Sequence, residues 1–128
     1  MEEPTQVDID KLKAAHPDRA LKSMALLEKD ADGKGTGEEF TFIYTGPNKV
    51  EYEKYIGEME AAGKLKTDME KTLAVRDVFE RLSLQQIRWP DRATVADIFG
   101  RYPMLVLNTG REISNSTGDS FEVRSRKL

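Results

Sequence analysis

Asp30-Ala31-Asp32-Gly33-Lys34-Gly35-Thr36-Gly37, running on through Glu38 into Glu39-Phe40-Thr41-Phe42-Ile43-Tyr44-Thr45, decides the fold. The first half is the strongest turn signal in the chain, because three glycines can take positive φ at no steric cost. The second half is rich in aromatic and β-branched residues, which suit a pleated, half-buried surface. Its alternation places Phe40, Phe42 and Tyr44 on one face of a strand. A strand needs a partner, and the nearest segment across the turn is Arg19 to Lys29. Leu21, Met24 and Leu27 there also fit a helix, and propensity favours one. The adjacent turn and strand outweigh it, so the reading is a β-hairpin.

Upstream, Val7 to Ala15 reads as a short helix, with Asp8 as its cap and Ile9 and Leu12 on one face. His16-Pro17-Asp18 ends it, since a residue before proline is pushed out of the helical region. Downstream, Gly46-Pro47-Asn48 closes the strand and opens a helix capped by Asn48. Tyr52, Tyr55, Ile56 and Met59 form one apolar stripe on that helix, and Gly63 ends it. Thr67-Asp68-Met69-Glu70 has the form of a capping box and starts the next helix, which runs to about Gln86. Its inner face is read as Leu73, Ala74, Val78, Phe79 and Leu82, with Asp77 at the edge. Trp89-Pro90-Asp91 breaks the chain before a short helix through Val95, Ile98 and Phe99 that stops between Gly100 and Pro103. A last helix carries Leu105, Leu107 and Ile113 and ends at Gly118. The fold class is therefore α+β and helix-dominant, an N-terminal β-hairpin followed by about four short helices. Residues 1–128 read as one domain, with 1–6 and 119–128 free to fray unless Phe121 to Val123 adds an edge strand.

Composition narrows the chemistry. The 128 residues are 38% hydrophobic and 34% charged, which suits a solvated globular protein and argues against wholesale disorder. Absence of cysteine removes disulfides, thiolate catalysis and cysteine-held metals. No apolar run approaches the roughly 20 residues needed to cross a bilayer. Met1-Glu2-Glu3-Pro4 is unlike a secretory signal, so a cytoplasmic location is expected. The net charge of −3 is unevenly spread. The first 70 residues hold an acidic excess, while every arginine except Arg19 lies at Arg76 or beyond. Arginine is favoured at protein interfaces, although a solvated basic side explains the same pattern.

Motifs that would carry chemistry are weak. Glu28 to Glu39 has the length of an EF-hand loop, with Asp30, Asp32 and Glu39 as oxygen ligands and Gly33 at the turn. Glu28 in the first position, Gly35 in the eighth and a strand-like exit all argue for an ordinary acidic turn. His16 is the single histidine, and no Gly-x-Ser-x-Gly element accompanies it. Glu51 and Glu53, or Glu58 and Glu60, stand two apart on a helix and diverge. Gly33 to Gly37 lacks the Gly-Lys-Ser/Thr ending of a phosphate loop. Arg88-Trp89 and Arg124-Ser125-Arg126-Lys127 are basic, yet the acidic whole argues against nucleic acid. No catalytic residue, cofactor or metal is expected. The aromatics Tyr44, Tyr52, Tyr55, Trp89 and Tyr102 read either as core or as anchors for a protein partner.

From Glu39 onward, Phe40-Thr41-Phe42-Ile43-Tyr44, Gly46-Pro47-Asn48, Glu51-Tyr52-Glu53-Lys54-Tyr55-Ile56, Pro90-Asp91 and Arg101-Tyr102-Pro103 follow one another in an order that resembles the small tail assembly chaperones of tailed phages and prophages. The resemblance covers roughly the middle two-thirds of the chain. It implies a non-catalytic accessory protein in the cytoplasm of a bacterial host, holding a tail structural protein such as the tape measure. It also implies a binding surface on the helices, which we place at Tyr52, Tyr55, Ile56, Met59, Arg101 and Tyr102, and homo-oligomers are compatible with it. A calcium-dependent module on Glu28 to Glu39 and a small hydrolase with an unrecognised site are the rivals from other classes.

Overall fold

The computed structural model describes residues 2–28, 32–33 and 37–116, together with Ser125 and Lys127. Helix α1 spans Gln6–Ala15 and leads into the hairpin of β1 (Leu21–Leu27) and β2 (Glu39–Thr45). Four helices follow: α2 (Lys49–Gly63), α3 (Asp68–Gln86), α4 (Arg92–Arg101) and α5 (Met104–Asn115). A third strand, β3 (Ile87–Trp89), lies between α3 and α4. The hairpin and helix-dominant α+β class are as read from the sequence.

The helix ends follow local chemistry. Asn48 Oδ1 accepts from the Glu51 N–H at 2.9 Å, and Glu51 Oε1 accepts from the Asn48 N–H at 3.0 Å, a complete capping box on α2. Thr67 Oγ1 accepts from the Glu70 N–H at 3.1 Å to start α3. For α1 the expected cap is displaced: Thr5 is the cap, and Asp8 sits three residues in, its carboxylate accepting the Thr5 N–H at 2.9 Å. Asp8 therefore supplies the acidic half of a capping box and is not the cap itself. At the far end, α5 finishes at Asn115; the expected stop at Gly118 and the expected strand at Phe121 to Val123 lie outside the described residues. Neither is α3 short, at 19 residues.

The sheet is antiparallel with order β1-β2-β3. β2 is the central strand, and both its faces are buried. Phe40, Phe42 and Tyr44 enter the main core, while Ile43 and Thr45 are buried on the other side. β3 was not expected, because Trp89-Pro90 reads as a break. Three residues suffice to pair, with Ile43 opposite Trp89 and Tyr44 opposite Ile87 across a shift in register. Against the main face pack Phe79 and Leu82 of α3, Val95, Ile98 and Phe99 of α4, and Val106 and Ile113 of α5. Phe42 meets Phe99 edge to face at 6.1 Å. α3 and α5 approach closely at Gly110, where an added Cβ would stand 2.5 Å from the Phe79 Cβ.

Candidate functional site

The stripe predicted on α2 divides in two. Tyr55 and Met59 are half-buried against the core, and the Tyr55 ring stacks on Phe79 at 6.3 Å. Tyr52 and Ile56 are 37% and 45% exposed, one helical turn apart. Both follow from the helix packing chiefly on α3: its stripe is broader than the seam, and the outer edge is left to solvent. Val50, 74% exposed, lies two residues before Tyr52 and so on another side of the helix.

Arg101 and Tyr102 lie elsewhere, at the turn between α4 and α5. Tyr102 packs on Phe40 at 5.1 Å, and its hydroxyl donates to Glu38 at 3.2 Å. That carboxylate beside the phenol raises the Tyr102 pKa above its ordinary value. Arg101 is ion-paired with Asp97 at 3.3 Å and stands 5.8 Å over the Tyr102 ring. These residues line one side of a groove of about 610 Å³ whose other side is the end of β1, Leu26 to Glu28. Met104, 69% exposed, and Leu27, 46% exposed, stand at its walls. Sequence reasoning found Tyr102 but missed Leu27 and Met104. Some seventy-five residues separate them along the chain, and only the hairpin's placement makes them neighbours.

A polar network, also missed, joins the start of α2 to the sheet. Arg19 Nη2 pairs with Glu51 Oε1, and Arg19 Nη1 donates to Thr45 Oγ1 at 3.4 Å and Gln86 Oε1 at 3.5 Å. Arg88 Nε donates to the same Thr45 oxygen at 3.2 Å, and Thr45 donates to Gln86 at 2.9 Å. The hydroxyl thus uses its one proton and both lone pairs. Burial pushes the Glu51 carboxyl up, but the Asn48 N–H and then Arg19 and Gln86 outweigh it and hold the group below the usual carboxylate range. Burial, then Arg19, lowers Arg88 against the opposing pull of Glu51. Burial, then Arg88 and Arg19, lowers His16. A cleft of about 570 Å³ opens beside this network, with Tyr55, Arg88 and the ion pair Arg81–Glu58 on its wall. In that pair both Arg81 Nε and Nη2 donate to one Glu58 oxygen, at 3.2 and 3.1 Å.

The six residues named for partner binding therefore do not make one patch. Tyr52 borders a concavity at the start of β1 and α2, Tyr55 the arginine cleft, and Arg101 and Tyr102 the groove by β1. The acidic turn links two strands, whereas an EF-hand loop links two helices. Gly33 adopts φ 80° there, and the Glu28 carboxylate accepts the Glu38 N–H at 3.4 Å. Among the described residues no three His, Asp or Glu side chains are grouped to hold a metal ion. Nor is any helix among them long and apolar enough to cross a membrane. Comparison with protein-family models, with curated proteins and with solved structures finds no match.

Proposed function

We propose that the chain is a non-catalytic accessory protein that holds another protein, a tail assembly chaperone of a tailed phage or prophage acting in the cytoplasm of its bacterial host. The observation that carries the reading is the divided face of α2. Tyr55 and Met59 anchor the helix on the core, and Tyr52 and Ile56 remain outside as an apolar edge. Such an edge suits an amphipathic client helix, whose own apolar stripe would be covered side by side with it. A long helical structural protein, of the tape-measure kind, presents that stripe repeatedly. The order of elements on which the resemblance rests is also present: β2, the proline step, α2, α3, the short α4, Tyr102-Pro103 and α5. β3 is an addition to it.

The test is co-purification of the tagged chain with a tape-measure protein co-expressed beside it. Ile56→Asp and Tyr52→Ala are expected to reduce capture about tenfold each, on the scale of an interface anchor, with the unfolding temperature unchanged. Capture unaffected by either variant removes α2 as the docking face. Failure to capture any tape-measure protein removes the chaperone reading itself.

A further inference from the structure

Among the described residues β1 stands at the edge of the sheet and pairs with β2 alone. The Glu28 N–H donates to the Glu38 carbonyl at 3.0 Å, and the register continues through Leu26↔Phe40, Met24↔Phe42 and Lys22↔Tyr44. Antiparallel pairing alternates, so the backbones of Lys22, Met24, Leu26 and Glu28 are turned inward to β2. Leu21, Ser23, Ala25 and Leu27 then turn their N–H and C=O groups to the outer edge. Seven residues run there in unbroken register without proline or glycine. Edges are ordinarily blunted by proline, bulges or several charges, and this one carries Lys22 alone within the strand.

We infer that two copies of this chain join through β1, antiparallel about a two-fold axis at Ala25, so that the sheet continues as six strands. The sequence of the edge selects this register. Lys22 and Glu28 lie three residues either side of Ala25 and on the same face, so each Lys22 falls opposite the other copy's Glu28. Met24 falls opposite Leu26 in the same way. Both are non-hydrogen-bonded pairs, where cross-strand side chains approach most closely. A two-fold axis at Met24 would instead oppose Lys22 to Leu26, and one at Leu26 would oppose Met24 to Glu28. Each sets a charge against an apolar side chain. The Ala25 register also lays the second copy's Met24 beside the groove formed by Tyr102, Met104 and Leu105, covering apolar surface now open there. This dimer does not depend on the client surface on α2.

Light scattering after gel filtration of the full chain is expected to give twice the chain mass. Lys22→Glu and Glu28→Lys each exchange two attractive cross-strand pairs for two repulsive ones, and each is expected to weaken association about tenfold. The combined Lys22→Glu, Glu28→Lys chain restores the attraction with its sign reversed and is expected to dimerise as wild type does. Ala25→Pro removes an outward N–H at the axis and is expected to give monomers. A monomeric wild type, its edge taken by another segment or left for a client strand, overturns the proposal. So does a dimer indifferent to both single reversals, or one that the combined exchange fails to restore.

Discussion

Gly110 and Phe79 show how a single atom is placed. The glycine sits in α5 where α3 crosses it, and Phe79 occupies the space a methyl group would need. Gly110→Ala is therefore expected to destabilise the fold by about 2 kcal/mol, the usual cost of forcing an overpacked core to shift, read as a lower urea midpoint. Nothing in Thr109-Gly110-Arg111 marks this contact, because a glycine inside a helical pattern shows its cost to the helix and not what packs against it. Tyr55 and Tyr52 make the complementary pair. Tyr55→Ala removes the stacked contact with Phe79 and is expected to cost about 2–3 kcal/mol. Tyr52→Ala is expected to stay within about 0.5 kcal/mol. Periodicity assigned both to one stripe; only the packing separates anchor from free edge.

At the scale of the element, α3 is two helices in one. Its last turns carry Val78, Phe79, Leu82, Ser83 and Gln86 into the core, whereas Met69 and Leu73 near its start are 75% and 51% exposed. The apolar pattern alone predicted Leu73 as an inner residue, since 3.6-residue spacing reports which face is apolar and not how far the neighbouring layer extends. Leu73→Gln is thus expected to change stability by no more than about 0.5 kcal/mol. Leu82→Ala is expected to cost about 2–4 kcal/mol. Thermal unfolding of the two variants decides it, and equal losses would mean that the start of α3 is covered in solution. Helix starts were better legible than helix faces. The caps at Asn48 and Thr67 are local hydrogen bonds written within four residues, and so they survive translation from sequence to structure.

The whole molecule is tied together by the network of Arg19, Glu51, Thr45, Gln86 and Arg88, with His16 beside it. These residues come from the α1–β1 connection, α2, β2, α3 and β3, so the protonation of one of them is felt across the fold. Burial and the two arginines depress His16, and Glu51 is depressed as well. A group whose folded pKa lies below its unfolded value contributes stability above the unfolded value and loses it as pH falls through the folded one. For His16 the loss begins below about pH 6.5, and for Glu51 below about pH 4.3. Unfolding temperature is accordingly expected to fall on acidification through weakly acidic pH, and His16→Gln is expected to flatten that first part of the decline. An unchanged slope in the variant would assign the acid sensitivity to other groups.

What the chain determined by itself were features whose causes lie within a few residues: the glycine turn and the strand after it, the caps of α2 and α3, the breaks at His16-Pro17 and Trp89-Pro90. β3 escaped because three residues before a proline carry too little pattern to announce a strand, and an edge of β2 was needed to recruit them. The divided face of α2, the groove between Leu27 and Met104 and the buried bonds of Thr45 were decided by the tertiary structure alone. Each depends on two or more segments distant in sequence meeting, and burial is a property of the meeting.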